Sequence, residues 1–453
     1  MIQDDTPRVV VVEIEGGLHV DRYKVQVLPT RPRDAEAPAG TGPHEKGYWD
    51  PFKERKLDHA TTDGETLTHL LKASLGTGIL AMPAAFKNAG MITGIFATII
   101  VSLVCTHCSY VLVKCAHSLY HRKKVTTMTF ADVGEVAFAN GPPWGRKFSK
   151  WARFSILFGL FLAYFGTCSV MFVIYFFYCP RSYHAVSVLL VPLILLSWIP
   201  NLKYLAPISM LANFLMAGGL GITFWYLFAS WETLPDFFST TIFAIEAIGV
   251  IMPLENAMET PQHFVGICGV LNRGMSGVTM IYILLGFLGF LKFGDAAQDN
   301  ITNNLDITQI CQYLRSNCCF CTFGLQFFVC LEIGWDAVKG YFPKRQRFYN
   351  YIVRTVLVSG AVFLAIAVPT IGPFINLIGA LCFSLLGLII PVFIEFVTYW
   401  DVGFGSFNWI VWKNILVLIF GVLALFFGSA TSIKGIAELY APQNAAADGF
   451  NRL

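Results

Sequence analysis

Two short stretches carry residue types that can do chemistry inside an apolar chain. In "LLKASLGTGILAMPAAF" an apolar helix is interrupted by Gly76, Thr77 and Gly78, and Pro83 follows. In "FAIEAIGVIMPLEN" Gly249 and Pro253 repeat the pattern: a glycine, an aliphatic run, then Met-Pro. Glycine weakens a helix by about 1 kcal/mol and proline by about 3 kcal/mol. Such a break frees main-chain N–H and C=O groups, and a positive helix end can receive a carboxylate. The plainer alternative is a kink, or small residues for close helix packing.

Two titratable side chains stand beside the breaks. His69 lies about two turns before the first, and histidine is the side chain that ordinarily exchanges a proton near neutral pH. Its alternative role is a neutral ring bonded to a main-chain carbonyl. Glu246 lies just before the second break. A carboxylate within a membrane is costly and points to function, either facing an ammonium or relaying a proton. Its alternative is a structural pairing with a neighbouring helix. His107, in "CTHCSY", reads as a packing residue. The flanking Cys105 and Cys108 are weak grounds for a metal.

The elements that must position these groups are membrane spans. Of 453 residues, 55% are hydrophobic and only 13% are charged, against about 25% charged in soluble domains. The net charge of +3 suggests no nucleic-acid partner. No phosphate loop or zinc signature occurs, so no cofactor or metal is implied. Residues 1–62 form a polar tail, read as flexible and cytosolic, in which "RVVVVEIEGGLHVDRYKVQVLP" has hairpin character. A transmembrane domain follows over 63–439, and 440–453 is a short C-terminal tail. Eleven apolar runs can serve as spans: Leu67–Phe86, Met91–Ala116, Phe154–Tyr178, Val186–Ile199, Leu205–Phe228, Phe237–Leu254, Val265–Phe290, Cys318–Ala337, Ile352–Thr370, Ile371–Tyr399 and Trp409–Ser432. The two interruptions fall in the first and the sixth. The loops after spans two and eight are basic, which places them and the N-terminus in the cytosol. The loop after span seven then lies outside and holds the sequon Asn300-Ile301-Thr302, a glycosylation acceptor. Glu255, Glu332, Asp336 and Glu395 are expected near cytosolic helix ends in contact with water. Lys114 is expected to snorkel to the interface.

The segments "HLLKASLGTGILAMPAAFKNAG", "FAIEAIGVIMPLENAMETPQHF", "LNRGMSGVTMIYILLGFLGFLKFGD" and "FGLQFFVCLEIGWDAVKG" resemble the proton-coupled amino acid transporters of the amino acid/auxin permease group, insect members in particular. The resemblance covers roughly residues 66–439. It implies an all-α membrane protein of about eleven helices, an inverted five-plus-five repeat (LeuT-like) with helices 1 and 6 interrupted. It also implies proton-driven transport of small neutral amino acids at the plasma or lysosomal membrane. The substrate carboxylate would meet the main chain at Gly76, Thr77, Gly78 and Ile79. Its ammonium would face carbonyls near Ala244 to Gly249, where small Ala247 and Gly249 leave room for a small side chain. The family's proton-coupling histidine stands where His69 stands. Of twelve cysteines, Cys179 and Cys311 would face outside, and the resemblance implies a bridge between their two loops. Residues 171–187 and 306–321 depart from the family pattern. A competing reading is a sensor of amino acids that signals to growth control through partners of the N-terminal tail, with little flux. A membrane enzyme is disfavoured because no nucleophile–base pair stands in the spans, and a channel because no span carries a polar stripe.

Overall fold

The computed structural model describes residues 49–55, 60–75, 77–176, 183–198, 211, 214–224, 241, 245, 247–298, 300–304, 323, 326–342, 345–367 and 372–440. The chain divides into two units, Met1–Tyr48 and Trp49–Leu453, and all described residues belong to the second. The hairpin expected in the tail and the cysteines Cys179 and Cys311 lie outside the described residues.

Among the described residues the fold is helical. Six helices are long and apolar enough to cross a membrane: Met91–Lys123, Ser149–Met171, Val270–Ala296, Gln346–Ala365, Phe374–Thr398 and Trp409–Ala437. They coincide with expected spans two, three, seven, nine, ten and eleven. Two expected spans are present as shorter helical stretches, Tyr183–Ser197 and Phe214–Phe224. Spans one, six and eight also have described helix, within residues 63–89, 248–257 and 326–338. Pro192 sits inside Tyr183–Ser197, as membrane helices tolerate when neighbours re-satisfy the freed backbone.

Span one is built in pieces. Helix α1, Asp63–Ser74, ends before a 3-10 turn over Thr77–Ala81, and α2, Met82–Ala89, resumes. Pro83 falls in the first turn of α2, where its missing N–H removes no helical hydrogen bond. Gly90 then turns the chain into α3, Met91–Lys123, with φ 92° and ψ 145°, a conformation that favours glycine. After two short helices, α4 (Phe130–Ala139) and α5 (Pro143–Arg146), the long α6 spans Ser149–Phe176.

The second interruption falls at Ala247, directly after Glu246 in sequence, as expected. Ile245 is helical and Ala247 is not, with φ −123° and ψ 8°, and a new helix, α7, runs Ile248–Ala257 with Pro253 inside it. The proline removes one internal hydrogen bond but does not end the helix. The non-helical residue is a small alanine that no sequence rule marks.

One unbroken helix supports the broken one. Helix α8, Val270–Phe293, packs along α1, the 3-10 turn and α2. Its glycines form the contact face. A Cβ at Gly274 would meet Leu70 at 2.6 Å, one at Gly286 would collide with Phe86, and one at Gly289 with Pro83. Small residues allow this close approach in a bilayer, where packing rather than water expulsion drives association. Residue numbers rise together along both elements, so spans one and seven run in the same direction.

The remaining spans enclose this centre. Helix α9 covers Gln346–Ala367. Span ten starts as α10, Gly372–Ile378, passes through a π-helical stretch over Gly379–Ile389, and ends as α11, Ile390–Thr398. Helix α12, Trp409–Tyr440, packs on the π-helical stretch. Its outer face exposes Trp412, Leu416, Phe426 and Phe427, which suits contact with lipid chains.

Candidate functional site

Helix α1, which leads into the broken turn of span one, is held at both ends. At its start, Thr62 and Glu65 form a capping box: the Glu65 N–H donates to Thr62 Oγ1 at 3.3 Å and the Thr62 N–H donates to Glu65 Oε2 at 2.9 Å. The Thr62 main-chain hydrogen bond holds the Glu65 carboxyl below the usual carboxylate range. At the other end α1 stops at Ser74, and Leu75 leaves helical geometry with ψ 52°. Helix ends leave carbonyls without intrahelical partners. The Ser74 carbonyl is met by the hydroxyl of Tyr282, a fully buried side chain of α8. Ser102 of α3 and Thr279 of α8 share a hydrogen bond between their hydroxyls, tying the supporting helix to span two.

Beyond the break, Gly78 is buried and Ile79 is 0% exposed. Neither α2 nor α7 has a side-chain cap at its N-terminus: Ala81 and Ala247 occupy the cap positions. Both helix starts thus lack the usual Ser, Thr, Asp or Asn acceptor. Helix α1 packs against α7. Gly249, in the first turn of α7, faces span three, where a Cβ would stand 2.5 Å from the hydroxyl of Tyr164. Tyr164 was not singled out by sequence reasoning. Only the close approach of two helices identifies it.

Of the residues expected to form a site, Gly78, Ile79, Ala247 and Gly249 lie on these interrupted elements. For Thr77 only the main chain is described, and Gly76, Ala244 and Glu246 lie outside the described residues. His69 is exposed on α1, one turn from Glu65, whose carboxylate feels its charge. Asn300 is 3% exposed. The His107 ring is partly buried, its Nε2 has no partner among the described residues, and the ring lies 6.2 Å from that of Tyr110. Among the described residues no His, Cys, Asp or Glu group is arranged for a metal ion.

Two carboxylates expected in water are buried instead. Glu395 is 3% exposed and accepts from Lys413 Nζ at 2.6 and 2.8 Å. Glu255 is 0% exposed. Its Oε1 accepts from Arg55 Nη2 at 3.2 Å and pairs with His117 Nε2 at 3.0 Å, and its Oε2 accepts from the Tyr120 hydroxyl at 2.8 Å. Arg55 also donates to the Glu255 carbonyl at 3.0 Å and to the Thr126 carbonyl at 2.7 and 3.0 Å. Buried charges persist when paired and hydrogen-bonded in this way. Glu332 and Asp336 do remain partly exposed.

Arg55 belongs to a segment that the sequence reading left in the tail. Trp49–Arg55 is packed: Pro51 is buried and Phe52 sets its edge against the rings of His117 and Tyr120. Just before α1, Thr61 forms a parallel β-bridge with Met258. The Thr61 N–H donates to the Ala257 carbonyl at 2.8 Å, and the Glu259 N–H donates to the Thr61 carbonyl at 3.0 Å. Asp63 accepts from Thr260 at 2.9 Å and pairs with His263 at 2.9 Å. Burial pushes the Asp63 carboxyl up, but these hydrogen bonds outweigh it and hold it below the usual range.

Apolar helices around an internally supported, broken helix define a multi-pass membrane protein whose polar main chain is kept inside. Residues 59–434 match the family model described as transmembrane amino acid transporter protein, and the chain belongs to that family. It is similar to the "Proton-coupled amino acid transporter-like protein pathetic" of Drosophila melanogaster, with 56% identity over 92% of this chain and 93% of the relative. It is also similar to "Amino acid transporter ANT1" of Arabidopsis thaliana, with 25% identity over 82% of this chain and 92% of the relative. The protein is thus an amino acid transporter and not an enzyme.

Proposed function

We propose that the chain is a proton-coupled secondary transporter that moves small neutral amino acids, such as alanine, glycine and proline, inward. The observation that carries this reading is the buried 3-10 turn over Thr77–Ala81, entered from a helix end whose carbonyl is held by Tyr282. Irregular backbone at membrane depth is tolerated where it is buried in protein or lines a cavity, and interrupted helices bind substrates in many transporters. The substrate carboxylate sits against the main chain of Gly76, Thr77, Gly78 and Ile79, and its ammonium faces carbonyls near Ala244, Ala247 and Gly249. The crowding of Gly249 by Tyr164 favours a small side chain.

His69 and Glu246 are the proton-carrying groups of this reading; proton coupling itself is supported by the similarity to the Drosophila proton-coupled amino acid transporter-like protein. The scaffold is the eleven-helix inverted repeat with a cytosolic N-terminus, in the plasma or lysosomal membrane. Uptake of labelled alanine into cells lacking their own carrier tests it, with current recorded at about pH 5.5 and about pH 7.5, on either side of the ordinary histidine range. Faster, current-carrying uptake at the acidic outside pH is the expected result. Equal uptake at both values, or strict sodium dependence, rejects proton coupling. Alanine binding without flux favours a sensor.

A further inference from the structure

The contacts around Arg55 join three elements that a transport cycle could move separately. Arg55 precedes α1, Glu255 lies near the end of α7, and His117 and Tyr120 lie in the last two turns of α3. The Arg55 side chain is 3% exposed and Glu255 is 0% exposed. The Thr61–Met258 bridge and the Asp63–His263 pair link α1 to the segment after α7 a second and a third time. Asn256 adds a link to the loop after α3, donating to the Met128 carbonyl at 2.8 Å.

We propose that Arg55 and Glu255 are positioning residues of the transport cycle, clamping α1 and α7 to the end of α3 so that the three move as one body when the cytosolic path opens. The inference rests on the transporter reading and its cytosolic N-terminus. The competing motion is a swing of α1 alone about the break at Leu75–Ala81. That swing would part a guanidinium from a fully buried carboxylate, and would open the main-chain bridge at Thr61 in every cycle. Removing one member of a buried ion pair leaves the other charge uncompensated, the costliest way to break such a pair. Moving α1, α7 and α3 together leaves every one of these bonds intact. The irregular main chain beside α1 and α7 then supplies the joints to the halves beyond the breaks.

The test joins the two elements covalently. Thr61→Cys with Met258→Cys places two thiols across the β-bridge, outside the substrate site. Mild oxidation cross-links them in the full chain, and each single variant is the control for the native cysteines. Alanine uptake by the cross-linked protein is expected to equal that of the same protein after reduction. A cross-link that stops uptake, restored by reduction, overturns the proposal.

A charge exchange gives an independent readout. Arg55→Glu and Glu255→Arg are each expected to lower the maximal uptake rate by about tenfold or more, with KM for alanine little changed. The double variant is expected to recover most of the rate, as coupled neighbours do. A double variant no better than either single one overturns the pairing. Wild-type uptake in the same cells separates the two levels. If it is absent, the transporter reading fails. If it is intact while the cross-link blocks, the clamp fails.

Discussion

The hydroxyl of Tyr282 donates to the main-chain carbonyl of Ser74, the residue on which α1 ends, across 208 positions of sequence. Both groups are buried. The bond gives the freed end of a broken helix a partner that is neither water nor its own chain neighbour. Tyr282→Phe keeps the ring and removes the donor. A buried carbonyl left unpaired costs about 1–3 kcal/mol. We expect a lower thermal midpoint of the purified protein and weaker alanine uptake, read in parallel. An unchanged midpoint with unchanged uptake would show that the break needs no support from α8.

Gly249 has no space for a side chain beneath the Tyr164 hydroxyl. Gly249→Ala is expected to cut uptake with surface expression retained, at an overpacking cost of about 1–3 kcal/mol. Gly249→Ala with Tyr164→Phe removes the nearest atom and should recover part of the loss. Cell-surface labelling alongside uptake separates a displaced helix from a protein that fails to fold.

Gly90 holds φ 92° at the turn from α2 into α3. Residues with a Cβ adopt such a conformation at a cost of about 1–3 kcal/mol. Gly90→Ala is expected to lower thermal stability by that order while leaving the acidic-pH enhancement of uptake in place. A thermal melt in detergent measures the first and uptake against pH the second.

His69 is the proposed proton carrier beside the first break. With His69→Gln, accumulation against a gradient should disappear and the dependence on outside pH should flatten, because glutamine donates hydrogen bonds but takes up no proton in this range. Residual alanine binding should persist, since Gly76–Ile79 lies about two turns away. Full acid-stimulated uptake by this variant would remove His69 from the mechanism and shift the role to Glu246.

Truncation separates the tail from the body of the protein. Deleting residues 1–48 should leave uptake unchanged, since the packed unit starts at Trp49. Deleting residues 1–55 also removes Arg55 and leaves Glu255 buried beside His117 and Tyr120 alone, a loss of about 3–5 kcal/mol for a broken buried pair. Uptake by the two truncations, normalised to surface protein, is the measurement. Equal activity would show that Trp49–Arg55 contributes nothing.

What was legible in the residues follows from the range of the forces involved. Long apolar runs specify spans by themselves, so α3, α6, α8 and α12 fall where composition puts them. The break after Ser74 was legible because Gly76, Gly78 and Pro83 act on their own backbone. Glu255 was misread because its burial depends on Arg55, 200 residues away, and nothing near Glu255 announces an arginine. The break at Ala247 falls directly after Glu246 in sequence, where it was expected, although Pro253 sits within α7 rather than ending it. In a packed bundle a proline can sit within a helix, and an unmarked alanine can leave helical geometry.

The Tyr282–Ser74 bond also bears on how the protein is made. Span one leaves the ribosome long before its partner: Ser74 precedes Tyr282 by 208 residues. At synthesis rates of about 5–20 residues per second, the two are separated by roughly 10–40 s. Throughout that interval the nascent first span lacks both its hydroxyl donor and the glycine face of α8. It must then keep its carbonyl near water, or wind temporarily into a continuous helix that later unwinds. The end of the earliest helix therefore gains its lasting partner only when α8 arrives, and a chain truncated before α8 lacks the donor that holds the Ser74 carbonyl.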